Sequence, residues 1–213
     1  MAIFCLRDVN IYENISEEEL IRIAKTAIES QLPRGAILFS PENPAQQVYV
    51  IKNGEVELYH EKNGKRIVFE TLFPGDVFGD FGTGPTDYFA QTTRASFLCQ
   101  TPTHEFLDIV RAHPEMSLNL MQTMATKIHD YERKIASLNK PAKDQILDEI
   151  KRLQAKKQKS FLNKIFHVPL RLSHQKLSEK TGLNRVTVTK LLGDLREEGT
   201  LSIDAKTGEI RLN

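Results

Sequence analysis

Leu172-Ser173-His174-Gln175-Lys176-Leu177-Ser178-Glu179-Lys180-Thr181-Gly182-Leu183-Asn184-Arg185-Val186-Thr187-Val188-Thr189-Lys190-Leu191-Leu192-Gly193-Asp194-Leu195 is the stretch from which the rest of the chain can be read. Ser173 can cap one short helix, Gly182 can supply the positive φ of a tight turn, and Asn184 can cap a second helix. On that second helix Val188, Leu191, Leu192 and Leu195 form one stripe, while Arg185, Val186, Thr189 and Lys190 share the opposite face. A DNA major groove accepts one helix and is read by its N-terminal residues. An Arg there can bond a guanine through two N–H groups, and Val and Thr methyls suit the thymine methyl. Ser173, His174, Gln175 and Thr187 are placed for phosphates, which position a protein without specifying sequence, and Asn184 completes the DNA-facing set. After Gly199, Leu201-Ser202-Ile203 and Ile210-Arg211-Leu212 flank Lys206-Thr207-Gly208, a hairpin able to form a wing.

Charge points the same way. The 213 residues carry a net charge of +1, yet from Lys140 onward there are 16 Lys and Arg against 9 Asp and Glu, a net of +7. The residues before it carry 13 against 19, a net of −6. A basic C-terminal part suits a polyanion such as double-stranded DNA, and an acidic remainder suits a different task. No stretch approaches the roughly 20 apolar residues that span a bilayer, and Met1 to Asn10 lacks the pattern of a signal peptide. A cytoplasmic protein without a membrane partner is expected. The two cysteines, Cys5 and Cys99, have no metal-type spacing, and Cys99, between Leu98 and Gln100, reads as a small buried hydrophobe. The six histidines are scattered, so no metal site is expected. Neither a nucleophile–base set nor paired carboxylates in a cleft emerges, which argues against an enzyme.

Working toward the N-terminus, Ala142 to Lys156 places Ile146, Leu147, Ile150 and Leu153 on one helical face, followed by a basic loop, Lys156 to Lys164. Asn139-Lys140-Pro141 should break the chain. Before it, a long helix opened by Pro114 carries Met121, Met124, Ile128, Tyr131, Ile135 and Leu138 at alternating spacings of 3 and 4. This seam reads as a parallel two-helix dimer interface, the alternative being a core helix of its own domain. Leu32 to Thr101 reads as short strands broken by glycines. Lys52-Asn53-Gly54 signals one hairpin, Asn63-Gly64 a second, and Pro74-Gly75-Asp76 another turn. Ser16 to Glu29 reads as a short helix with a capping box of Ser16 and Glu19, and with Leu20, Ile23, Ala24 and Ala27 on one face. The expected fold is therefore α+β: an antiparallel β-roll of jelly-roll type over 1–110, a dimerisation helix over 111–139, and a winged helix-turn-helix over 140–213.

These residues closely resemble the catabolite activator/fumarate-nitrate reductase (CRP/FNR) family of transcription regulators. In the β region, Gly35, Gly54, Gly64 and Gly75-Asp76-Val77-Phe78-Gly79-Asp80 resemble the turn glycines and phosphate-loop segment of its cyclic-nucleotide-binding-like roll, with Arg94-Ala95 and Cys99 on the strands that follow. "LSHQ" and "RVTVTKLLGDLRE" are similar to the cyanobacterial nitrogen-control branch. The resemblance implies a homodimer on a near-palindromic site, an effector held between roll and central helix, and an activator's contact with RNA polymerase, for which Lys156 to Lys164 is the candidate surface. It places the effector pocket at Phe78, Gly79, Asp80, Phe81, Tyr88, Phe89, Ala90, Lys127, Tyr131 and Glu132. Where the cyclic AMP receptors have a glutamate and an Arg-Ser pair, this chain has Asp80 and Phe89-Ala90, and an aromatic ring gives a phosphate neither a cation nor a donor. Cyclic AMP in the usual mode is therefore not expected. The nitrogen-control branch senses 2-oxoglutarate through a cation and an acid that match Lys127 and Glu132, but its roll arginine falls on Thr86. That leaves a small carboxylate such as 2-oxoglutarate, or an empty pocket. At the reading head Arg185 matches the guanine-contacting arginine, Lys190 replaces an arginine, and Val186 replaces a glutamate of the catabolite-activator branch, which should alter one base pair of the half-site.

Overall fold

The computed structural model describes residues 9–62, 64–159, 172–204 and 210–212, with the side chains of 156–159 outside that description. It divides into two compact units. One comprises the residues up to Glu61 together with Phe69–Asp130, the other Lys62–Val68 and the residues from Tyr131 on.

In the first unit Ser16 opens α1 (Glu17–Thr26) as expected: its Oγ accepts the Glu19 N–H (3.3 Å) and a Glu19 carboxylate oxygen accepts the Ser16 N–H (3.3 Å). The Ser16 hydroxyl, donating to the same carboxylate, holds the Glu19 carboxyl below its usual range. The helix stops at Thr26 rather than Glu29, and Ile28–Leu32 forms β1. This edge strand pairs antiparallel with β8 (Ser96–Pro102), setting Glu29 opposite Cys99, and none of its side chains is fully buried. An edge strand without an inward apolar face gives no alternation to read.

Six further strands follow between them: β2 (Ile37–Phe39), β3 (Gln47–Asn53), β4 (Val56–Lys62), β5 (Lys65–Leu72), β6 (Val77–Gly79) and β7 (Phe89–Thr92). They form two four-stranded sheets, β1-β8-β3-β6 and β2-β7-β4-β5. Pairing 1 with 8, 2 with 7, 3 with 6 and 4 with 5 is the order of one long hairpin rolled over on itself, the jelly roll that was expected. The hairpin at Asn63-Gly64 joins β4 to β5, Asn63 lying outside the described residues, and the turn at Pro74-Gly75-Asp76 closes with the Phe73 N–H on the Asp76 carboxylate (2.8 Å). Arg94-Ala95 falls in the turn between β7 and β8, not on a strand.

Lys52-Asn53-Gly54 is not a hairpin. β3 lies between β8 and β6, β4 lies in the other sheet, and the chain crosses from one to the other at this point. The crossing is held by the Glu55 N–H on Ser96 Oγ (3.2 Å) and the Thr93 N–H on Glu55 O (2.9 Å). Gly54 sits there at φ +104°, with its α-carbon close against Ser96. Alternation identified both strands, but pairing of sequence neighbours is only a tendency that tertiary packing overrides.

β3 is buried on both faces, which is why Val48-Tyr49-Val50-Ile51 runs continuously apolar. Tyr49 and Ile51 face the inter-sheet core with Phe39, Val56, Leu58, Leu72, Phe78, Ala90 and Leu98. Val48 and Val50, with Val77 and Cys99, face a second core closed by Val9, Ile11, Tyr12, Leu20, Ile23, Phe106 and Met116. Cys99 is thus a buried small side chain, as expected. Phe106 comes from α2 (Thr103–Ala112), a helix unassigned from the sequence, and Met116 from the first turn of α3 (Pro114–Ser137).

In the second unit α3 ends just before Lys140-Pro141, and α4 (Ala142–Lys159) begins. α4 runs three residues past the expected Lys156, so the first part of the supposed basic loop is helix and residues 160–164 lie outside the described ones. The break is pinned at Asp148, which accepts from Lys140 Nζ (2.6 Å) and Ser137 Oγ (3.3 Å), while Gln145 Nε2 donates to the free carbonyls of Leu138 and Lys140. Lys140 holds the Asp148 carboxyl below its usual range. The pairing therefore stabilises at neutral pH and is lost as pH falls through that lowered value. α5 (His174–Thr181), α6 (Arg185–Glu197) and a two-stranded ribbon, β9 (Leu201–Ile203) with β10 (Ile210–Leu212), complete the unit.

Gly54→Ala should cost at least ~2 kcal/mol in urea unfolding, combining a disallowed φ with overpacking. A Cβ there would lie 2.1 Å from Ser96 Oγ and 2.6 Å from Ser96 Cα. Because the backbone itself is in the way, adding Ser96→Ala should not restore the loss.

Candidate nucleic-acid interface

The turn between α5 and α6 accounts for its own polar groups. Ser173 Oγ accepts the Lys176 N–H (3.1 Å), and Gly182, at φ +74°, donates its N–H to Ser178 O (2.9 Å). Ser178 Oγ donates to Leu183 O (2.7 Å), and Asn184 Oδ1 accepts the Val186 N–H (2.9 Å). A residue with a Cβ resists the left-handed conformation at 182, so glycine makes the helix-turn-helix angle accessible here.

Val188, Leu192 and Leu195 then point into a core with Ile146, Ile150, Leu177, Leu201 and Ile210. The opposite face of α6 is open: Arg185, Val186, Thr189 and Lys190 together line one shallow surface depression, and Val186 is 77% exposed. The structure thus brings together the four residues expected at base edges. Thr187 is exposed beside them. Of the residues expected at phosphates, Gln175 bonds Glu179 (2.8 Å) and Ser173 is spent as a cap, as Asn184 is on α6. His174 Nδ1 lies 2.8 Å from Thr189 Oγ1, a cross-helix contact that the sequence spacing of 15 residues did not suggest. β9 and β10 pair antiparallel as the expected hairpin, Ile203 with Ile210, while Lys206-Thr207-Gly208 lies outside the described residues.

The effector-pocket candidates are engaged in packing. Phe78 stacks on Tyr49 (5.2 Å) and Phe89 on Tyr59 (5.0 Å, planes 12° apart). Tyr88 meets Phe39 and Phe69 edge to face, Phe81 meets Phe106, and Ala90 is fully buried. Gly79 pairs with Val48. Asp80 accepts the Gly82 N–H (2.7 Å) and the Thr103 hydroxyl (3.1 Å), joining its loop to α2. Thr86 Oγ1 accepts the Ala45 N–H (3.2 Å). Lys127 is half-buried on α3 in the first unit, while Tyr131 and Glu132 lie further along that helix in the second.

On α3 the apolar seam is open. Met121 is 61% exposed, Ile128 56% and Ile135 63%, with Leu138 alongside them, and Met124 and Tyr131 are half-buried. Leu118 extends the same stripe by one turn, a position the sequence reading did not include.

Two family profiles match this chain, a cyclic nucleotide-binding domain over residues 29–113 and a Crp-like helix-turn-helix domain over 146–213. The global nitrogen regulator of Synechocystis sp. is 32% identical over 190 residues, covering 81% of this chain and 80% of that protein. The chain belongs to the CRP/FNR family. It is a DNA-binding transcription regulator of that type. A second global nitrogen regulator, from Nostoc sp., is 30% identical over 190 residues, with the same coverage. Among solved structures, the c-di-GMP responsive global regulator CLP of Xanthomonas campestris superposes with a TM-score of 0.73 at 18% identity, over 92% of this chain and 99% of that one. A CooA mutant from Carboxydothermus hydrogenoformans gives 0.72 at 22% identity, over 100% and 91%. At such identities the structural likeness speaks for the CRP/FNR fold alone. No helix among the described residues is long and apolar enough to cross a membrane.

Arg185→Ala should weaken binding to a specific duplex by about 1–3 kcal/mol and relax preference at one base position. Competition binding against duplexes varied at each position checks this. Equal weakening on every sequence would make Arg185 a phosphate contact instead.

Proposed function

We propose that this regulator acts as a cytoplasmic homodimer on a near-palindromic DNA site, without cyclic AMP in its usual binding mode. The depression of Arg185, Val186, Thr189 and Lys190 on a capped, outward-facing helix carries the reading. Arg185 reads a guanine, the methyls of Val186 and Thr189 meet a thymine methyl, and Lys190 adds a cation. Ser173, His174, Gln175 and Thr187 lie at the phosphate backbone, with Asn184 completing the DNA-facing set. The exposed stripe from Leu118 to Leu138 supports pairing of two copies along α3, since an apolar seam of this period gains by being covered. Two-fold symmetry then requires two half-sites about one helical turn apart. In this reading residues 1–110 are the sensor, 111–139 the dimerisation helix and 140–213 the reader, with RNA polymerase as the further partner.

The roll supports control by something other than cyclic AMP. Where a cyclic phosphate would need a cation, Phe89 stacks on Tyr59, and the Asp80 carboxylate is committed to Gly82 and Thr103. These engaged side chains favour an unliganded protein competent for DNA. Lys127 on α3 keeps a small carboxylate such as 2-oxoglutarate as the ligand to titrate.

Selection from a randomised duplex pool with no effector added, at stated salt, should enrich one two-fold-symmetric site. Enrichment only when 2-oxoglutarate is added, with matching heat in a calorimetric titration, would replace the empty pocket by a carboxylate site. No enrichment in either case would sink the reading. Separately, Ile128→Glu should convert a dimer to a monomer in sedimentation at micromolar protein. Unchanged sedimentation would remove α3 as the interface.

A further inference from the structure

The hydrogen bond between His174 and Thr189 fixes more than geometry. Thr189 Oγ1 lies 2.9 Å from Arg185 O, four residues back on α6, and 2.8 Å from His174 Nδ1. A hydroxyl has one proton, and a carbonyl oxygen can only accept. A helical threonine usually gives its proton to the carbonyl one turn back, here Arg185 O. With the proton there, Nδ1 carries the imidazole proton and donates to Thr189 Oγ1. In the neutral ring this leaves Nε2 as a bare lone pair. Among the described residues Nε2 has no hydrogen-bond partner.

A DNA phosphate oxygen is likewise only an acceptor, so a neutral His174 held in this tautomer presents it with a lone pair facing a lone pair. An imidazolium donates from both nitrogens, keeping Thr189 and adding a charge-assisted bond to phosphate. We propose that His174 contacts a DNA phosphate through Nε2 only as the imidazolium, so that each recognition helix takes up one proton when it binds DNA. The inference rests on the placement of His174 at the phosphate backbone given above. Around Thr189 on α6 the charged groups are Arg185 and Lys190, with Asp194, Arg196 and Glu197 further along; α5 carries Lys176, Glu179, which holds Gln175, and Lys180. α4 packs against α5 through Ile146, Ile150 and Leu177, an apolar contact. With the proton held only in the complex, affinity is greatest at low pH and falls as pH rises through the range in which imidazole changes charge.

Two measurements on the full chain test this. Long-range proton–nitrogen spectra of histidine-labelled protein, with His174 assigned by its loss in His174→Gln, should show the Nδ1–H tautomer once the ring is neutral. An Nε2–H tautomer overturns the proposal without any DNA being present. Affinity for the selected duplex and for a mixed-sequence duplex is then followed at constant ionic strength from about pH 5.5 to 8.5. Wild type should lose about tenfold per pH unit for each recognition helix once the ring is neutral. His174→Gln, which donates without titrating, should flatten that slope. Thr189→Val, which frees Nδ1 and lets a neutral ring donate from Nε2, should flatten it too and bind more tightly than wild type at the alkaline end. An unchanged slope in either variant overturns the proposal. Absence of DNA binding by wild type at any pH overturns the regulator reading itself, and this inference with it.

Discussion

Burial of Val188, Leu192 and Leu195 against Ile146, Ile150, Leu177, Leu201 and Ile210 sets which face of α6 is left open, the face of Arg185, Val186, Thr189 and Lys190. Each such side chain contributes about 1.5–3 kcal/mol on leaving water, as much as a good base contact supplies. Turning α6 by one residue would surrender several of these terms and push Arg185 or Lys190 toward an apolar interior, where an unpaired charge costs several kcal/mol. The outward face is therefore held by what lies behind it. Caps at Ser173 and Asn184 and the left-handed Gly182 set where each helix starts, so the angle and the rotation have separate causes.

The roll obeys a stricter packing condition than a two-layer sandwich. Its first sheet is covered on both faces, by the second sheet on one and by α1, α2 and the start of α3 on the other. Met116 joins that second core, whereas the stripe beginning at Leu118 faces away, so α3 changes role within one turn. Aromatic pairs, Phe78 on Tyr49 and Phe89 on Tyr59, are packed within the roll.

Much of this was legible because it is local. Ser16 with Glu19, Ser173, Gly182 and Asn184 are cap and turn signals whose physics acts within four residues, and all four behave as read. The seam on α3 and the break at Pro141 follow from helical period and from proline's missing N–H. Legibility failed where the partner was distant. β1 has no buried alternation, since it is held by backbone pairing to β8 some seventy residues on. The corner at Gly54 looks like a hairpin because a tight glycine turn serves either purpose, and only contact with Ser96 decides which. α4 extends to Lys159 through a basic stretch whose side chains offer no apolar stripe to read.

The sequence by itself determined the two faces of α6, since helical period and charge suffice to separate Arg185, Val186, Thr189 and Lys190 from Val188, Leu192 and Leu195. It also showed Asp80, Phe89 and Ala90 in the roll, side chains that offer a phosphate no cation. Tertiary structure alone decided that Asp80 is tied to α2, that β3 and β4 part company at Gly54, and that His174 is joined to Thr189 across two helices. Each of these depends on a contact between groups that the chain brings together only after it has folded, and no local propensity encodes which partner will be there.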